Sequence, residues 1–381
     1  MTGPMVDLGY LKETLHALLS IPSPTGYTDE IVHFVSAELE RLGIAHELTR
    51  RGAIRAVVPG RDPKPARSVI AHLDTLGAQV KNLKDNGRLE LVPIGHWSSR
   101  FAEGARTTIF TTHGSFTGTI LPLKASGHTF NTEVDSQPVS WRDIELRVDA
   151  NVHDRRSLEE HGFAIGDFVA IDPQPEFLDN GYIVSRHLDD KGGVAAMMAT
   201  MKALVDGAGP PTVDTYFLFS IAEEVGVGAS AVLHGDVAAM VTIDNGTTAP
   251  GQNSSEFGVT IAMADSVGPF DYHLTQKLIE LAEANGVPYQ RDIFRYYRCD
   301  SASAIEAGND IRTALITFGV DGSHGYERIH ENALESVARL ALLYTLSPII
   351  LPRDAKSMSS IRGFTHQPQE PAPEAGHDMP R

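Results

Sequence analysis

The sequence predicts an α/β fold, a mostly parallel sheet covered by helices and interrupted by a β-rich insertion. Three observations carry this expectation. Apolar strand-like runs alternate with amphipathic helices in both the first and last parts of the chain, the pattern of a sheet buried on both faces. Between about residues 77 and 178 the alternation stops, and short strand-like stretches separated by turn residues take its place. The 381 residues have room for two folded units, at about 150 residues per domain.

In chain order, Leu8, Leu11, Leu15, Leu18 and Leu19 fall on one helical face. The loop IPSPTGYT follows, then a second amphipathic helix marked by Ile31, Val35, Leu39 and Leu42. Residues 68–73, SVIAHL, read as a buried strand. Inside the insertion, Asn86–Gly87 between short apolar stretches is a hairpin signal. GSFTGTILPL and IGDFVAIDP read as strands there, and RRSLEEHG as a helix. Past residue 180, GYIVS, TYFLFSIA, MVTID and TALITFGV predict strands. GGVAAMMATMKALVDG, LESVARLALLYTL and LTQKLIELAEANG predict helices, the last closed by Gly286. The expected domains are therefore 1–76 joined to 179–352, an inserted unit at 77–178, and a disordered tail at 353–381, rich in Pro, Ser, Gln and Glu and without period.

Composition narrows the function. The 32 basic and 49 acidic residues leave a net charge of −17, which disfavours nucleic acid and anionic membrane surfaces as partners. No apolar run reaches the length of a membrane span, and the N-terminus lacks the layout of a signal peptide. The single cysteine, Cys299, excludes a disulfide framework and every Cys-rich zinc site, so a cytoplasmic setting is expected. Cys299 itself reads as a small core residue. The 16 histidines, with Asp and Glu, are the metal ligands on offer.

Ligands of open α/β sheets bind beyond the carboxyl ends of the strands. His72-Leu73-Asp74 follows SVIA, and His187-Leu188-Asp189-Asp190 follows GYIVS. Glu223–Glu224 follows TYFLFSIA, Asp244 ends MVTID, and the loop after TALITFGV holds His324 and His330. Each has a plain alternative. His72 and Asp74 could face solvent at a strand exit. Asp189–Asp190 could cap the next helix, and Glu223–Glu224 could be a solvated strand end. Acids and imidazoles at five strand ends are harder to explain singly, because such groups are costly near a core unless paired or metal-bound. Two histidines with several carboxylates and no thiolate suit a centre of two zinc or cobalt ions. One carboxylate would bridge the ions, and a spare Glu would take a proton from the bridging water.

The ordered set IPSPTGYTDEIV, AHLDTLGAQV, RHLDDKGGVAAM, SIAEEVGVGAS, VTIDNG and RCDSASA resembles the M42 family of metallo-aminopeptidases. So does RVDANVHDRRSLEEHGFAIGDFVAID in the insertion. The resemblance spans roughly residues 10–350. It implies a zinc-peptidase-like domain with an inserted β-barrel that mediates assembly, up to twelve subunits. It also implies two divalent ions and short peptide substrates. Position by position, His72 would bind one ion, with Asp74 orienting the site. Asp189 would bridge the two, backed by Asp190 across an unusual peptide, a candidate for the cis form. Glu223 would be the general base, Glu224 a ligand, and Asp244 a ligand of the other ion. The last ligand falls in DGSHGYERIHENALE, where either His324 or His330 fits; Arg328-Ile329-His330 keeps the local pattern better, so His330 is the expectation. The HGYER stretch also resembles a subset of M42-type peptidases named for the osmoprotectant N-acetylglutaminylglutamine amide system. Asp300, in CDSASA, stands either near substrate or in a structural turn. Two rival functions share these residues: an amidohydrolase that removes an acyl group, and a non-catalytic scaffold with a degenerate site.

Overall fold

The computed structural model describes residues 6–233 and 237–367. Helix α1 (Leu8–Leu19) starts where the Asp7 carboxylate accepts the Tyr10 N–H, and it buries Leu11, Leu15, Leu18 and Leu19. Helix α2 (Asp29–Arg41) buries Ile31, Val32, Val35 and Leu39. The main sheet is centred on four strands: β3 (Asp62–His72), β12 (Val213–Ser220), β13 (Val237–Thr247) and β16 (Arg312–Val320). In spatial order, β12, β3, β13 and β16 run parallel to one another, which brings their carboxyl ends to one edge. Their near-continuous apolar runs follow from burial on both faces. Helix α5 (Leu188–Ala203) lies over β3 and β13 between α1 and α8 (Glu331–Leu346), and it is buried along nearly its whole length.

The sequence reading misses the sheet margins. Strands β1 (Ala45–Leu48) and β2 (Ile54–Val58) add antiparallel beside β12. On the other side β14 (Val259–Ala264) pairs antiparallel with β16, and β15 (Tyr289–Ile293) runs parallel to β14. Helix α6 (Tyr272–Ala284) ends before Gly286, whose φ of 60° is the left-handed conformation of a helix C-terminus. Helix α7 (Asp300–Glu306) packs on β13 and β16. Its Asp300 carboxylate accepts from the Ser220 hydroxyl at 2.5 Å and the Ala229 N–H at 2.7 Å. Of the two expectations for Asp300, these bonds favour the structural one. Cys299 is buried.

The insertion is a closed barrel of β4 (Gly77–Leu83), β5 (Arg88–Ile94), β6 (Arg106–Thr111), β7 (Gly114–Pro122), β8 (Ile144–Val148) and β9 (Phe168–Ile171). Val80, Leu91, Ile109, Ile120, Leu146 and Val169 fill it. Two short helices decorate it, α3 (Gly127–Phe130) and α4 (Arg155–Glu160). A small sheet of β10 (Glu176–Phe177), β11 (Tyr182–Ser185) and β17 (Glu327–His330) leads the chain back. The barrel therefore leaves the main sheet just after His72 and returns just before Asp189. Two contacts tie it down there: Tyr27 stacks on Phe110 with ring centroids 4.5 Å apart, and the His187 Nε2 bonds the Ile171 carbonyl at 2.9 Å.

The disordered tail expected from residue 353 begins instead with a 3-10 turn, Pro352–Ala355, whose Asp354 carboxylate accepts from Arg312 at 2.7 Å. Residues 368–381 of that tail lie outside the described residues. Among the described residues no helix is long and apolar enough to cross a membrane.

Candidate metal centre

His72 ends β3 with its ring buried, 2% exposed. Its Nδ1–H points at the Asp74 carbonyl, 2.9 Å away, which leaves the Nε2 lone pair free for a ligand. That Nε2 lies 3.2 Å from Asp189 Oδ1 and 3.8 Å from Glu223 Oε2. Asp74 does not face the same way. Its carboxylate accepts the Thr25 hydroxyl at 2.6 Å and the backbone N–H groups of Glu223 and Glu224 at 3.1 and 3.3 Å. Asp74 thus fixes the turn after β12 that carries both glutamates.

Asp189 opens α5. Its peptide to Asp190 is cis. One carboxylate oxygen faces each of two imidazoles: Oδ1 faces His72, and Oδ2 lies 3.1 Å from His324 Nε2. Asp190 lies behind it and accepts the His72 backbone N–H at 3.1 Å. A Cβ on Gly193 would come within 2.1 Å of Asp190 Oδ1, so only glycine leaves room there. Asp244, near the end of β13, accepts the Asn245 N–H at 2.6 Å. His72, Asp189 and Glu224 offer ligand atoms all within 4.8 Å of one another, and so do His72, Glu223 and Asp244.

The structure corrects the expectation for the last histidine. His330 caps α8: its Nδ1 accepts the Asn332 N–H at 3.1 Å, so the proton sits on Nε2, which faces the Asn180 carbonyl at 3.1 Å. With both ring nitrogens committed, and the ring packed edge-on against Tyr182, His330 has no lone pair for a metal. His324 stands in the cluster instead. Its Nδ1 bonds the His96 carbonyl at 2.9 Å, and its Nε2 lies 3.1 Å from Asp189 and 3.7 Å from Glu224. His187, from the same RHLDD run, is not part of the cluster. Burial, with Lys191 nearby, lowers its pKa to about 3.

Three residues that sequence reasoning missed complete the surroundings. Thr25 holds Asp74. The Asn245 amide donates to Asp189 Oδ2 at 2.6 Å and to Asp244 Oδ1 at 3.2 Å. Glu327, 1% exposed, accepts the backbone N–H groups of His324 and Asp189. No local signal marks Glu327; for Asn245 the available signal was an amide directly after Asp244.

The electrostatics call for cations. Burial and neighbouring acids hold the Glu223 and Asp244 carboxyls well above the ordinary carboxylate range. Burial pushes Glu224 up to about 8, despite His324. Burial opposes ionisation of Asp189 too, but hydrogen bonds from His324 and His72 outweigh it and hold that group below the usual range. His324 is disfavoured as a cation by burial, yet Glu224 and Asp189 raise it to about 11. Buried carboxylates that repel one another around two imidazoles fit divalent ions, as does the unpartnered buried Glu224 Oε1. Oxygen and imidazole donors without thiolate suit zinc or cobalt.

Acids and imidazoles gathered at the carboxyl ends of a parallel-centred α/β sheet make a donor set suited to divalent ions, the kind of centre a metal-dependent hydrolase uses. The chain belongs to the M42 peptidase family, since the family described as M42 glutamyl aminopeptidase matches residues 52–340. It is 36% identical over 347 residues to YhfE of Bacillus subtilis (strain 168), a candidate aminopeptidase by name, covering 91% of this chain and all of that protein. The aminopeptidase APDkam598 of the archaeon Desulfurococcus kamchatkensis superposes with a TM-score of 0.81 at 22% identity, over 93% of this chain and 98% of that one. The TET1 peptidase of Pyrococcus horikoshii, described as assembling into a tetrahedron or a large octahedral shell, gives 0.78 at 22% identity, over 89% and 100% of the two chains. At that identity the two structures share the fold.

Proposed function

We propose that the chain is a binuclear metal-dependent aminopeptidase that removes N-terminal residues from short peptides. The observation that supports this reading best is Asp189 between two imidazoles, with one oxygen toward each. His72, Asp244 and Asp189 would hold one ion; Asp189, Glu224 and His324 would hold the other. Divalent ions bound there polarise the scissile carbonyl and acidify a water. Glu223 lies beside His72 and Asp244 and is the carboxyl this reading assigns to proton transfer, with an affinity for protons that burial has raised. It takes the proton from the attacking water and passes it to the departing amine. Asp74 touches no reacting atom; it keeps Glu223 and Glu224 in place through their N–H groups. The surrounding acids favour a cationic peptide N-terminus over a blocked one.

A panel of aminoacyl-p-nitroanilides, glutamyl included, tests this against N-acetylated counterparts. Cleavage is expected only where the amine is free. Cleavage of the acetylated set alone would replace the aminopeptidase with a deacylase.

The same reading assigns the barrel to association between copies of the chain. Light scattering should then give a mass several times the 41.2 kDa of one chain. A monomer at micromolar concentration would contradict that assignment.

A further inference from the structure

The loop that carries His324 comes from a part of the chain far from the other site residues, after β16 and beside the barrel. His324 also has a φ of 62°, a left-handed conformation that a non-glycine residue keeps only when its surroundings hold it. Three contacts do so. The His96 carbonyl, from the barrel segment after β5, takes the ring Nδ1–H. The Ser323 hydroxyl donates to the Asn245 side-chain oxygen at 3.1 Å. The third contact is Glu327, where Oε1 accepts the His324 N–H at 2.9 Å and Oε2 accepts the Asp189 N–H at 3.2 Å. Its two oxygens therefore clip the backbone of one imidazole residue to the backbone of the carboxylate that the imidazole faces. Glu327 touches neither side chain's ligand atoms, and it is buried at the start of β17, whose pairing with β11 fixes its height beside Asp189.

We propose that Glu327 is a positioning residue for the half of the centre made by Asp189, Glu224 and His324, setting the distance between its shared carboxylate and its imidazole. This rests on the binuclear reading above. The other half shares Asp189 but draws its remaining ligands, His72 and Asp244, from β3 and β13, which Glu327 does not touch. The effect of losing Glu327 is accordingly larger on the half that holds His324.

Glu327→Gln keeps the shape but replaces one acceptor oxygen with an NH2 group, which cannot accept an N–H. Glu327→Asp keeps the charge and is one methylene too short to reach both N–H groups; it serves if the first variant does not fold. The experiment is calorimetric titration of the full-length, metal-free protein with Co(II), followed in parallel by the visible absorption of the bound cobalt. Wild type should take up two ions. Each variant should bind the first ion with close to wild-type affinity and the second about 10- to 100-fold more weakly, the scale expected when a group that orients a ligand is removed. The cobalt spectrum at one equivalent should be unchanged, and the increment from the second should shrink. Two ions bound with wild-type affinities would overturn the proposal. Equal weakening of both ions would also overturn it, since Glu327 would then merely support the fold. A wild-type protein that binds fewer than two ions would overturn the binuclear reading and this proposal with it.

Discussion

Glu223→Gln should retain the metal content of the wild type and lose activity by about 10²- to 10⁴-fold, the range set by removing a general base. Glu223 and Glu224 follow one apolar strand, and Asp74 holds both through the backbone. Their side chains part from there. Glu224 faces His324 and Asp189, whereas Glu223 faces His72 and Asp244, with its carboxyl 12% exposed. The amide of glutamine matches the carboxylate in size but carries no negative charge and cannot take up the proton. Metal analysis and turnover together check this. Near-normal turnover in a protein that still holds its ions would remove Glu223 from the mechanism.

The two histidines of the last loop should behave oppositely. His324→Ala is expected to lose one of two ions per chain and most of the activity, because the imidazole beside Asp189 Oδ2 has no substitute. His330→Ala is expected to keep both ions and to lower stability by about 1 kcal/mol, the usual cost of removing a helix N-cap. Its ring nitrogens are already spent on the Asn332 N–H and the Asn180 carbonyl. Metal content and thermal unfolding of the two variants separate the roles. Loss of metal in His330→Ala with retention in His324→Ala would reverse the assignment.

This contrast also marks what was legible in the sequence. The central strands could be read because burial on both faces demands unbroken apolar runs, as in TYFLFS of β12. The acids and imidazoles that end those runs could be read because charge at a strand end stands out against them. His72, Asp189, Glu223, Glu224 and Asp244 do converge. In the linear sequence Arg328 and Ile329 give His330 the setting of a ligand. What decides between the two histidines is a turn in which Gly322 and His324 both take positive φ, and this swings His324 alone toward Asp189. Thr25 and Glu327 were illegible for a related reason. Glu327 acts on Asp189 from 138 residues away, and Thr25 on Asp74 from 49. No local period or spacing encodes such meetings. The margins β1 and β15 were missed because short, partly exposed strands lack the continuous apolar signal of the centre.

In the proposed mechanism the buried acids and imidazoles hold catalytic metal. Hydrolysis of free-amine aminoacyl-p-nitroanilides by the purified protein tests it most directly when measured as isolated, after chelation, and after zinc or cobalt is restored. Activity should disappear on chelation and return with the added ion. Activity that survives complete removal of metal would contradict it.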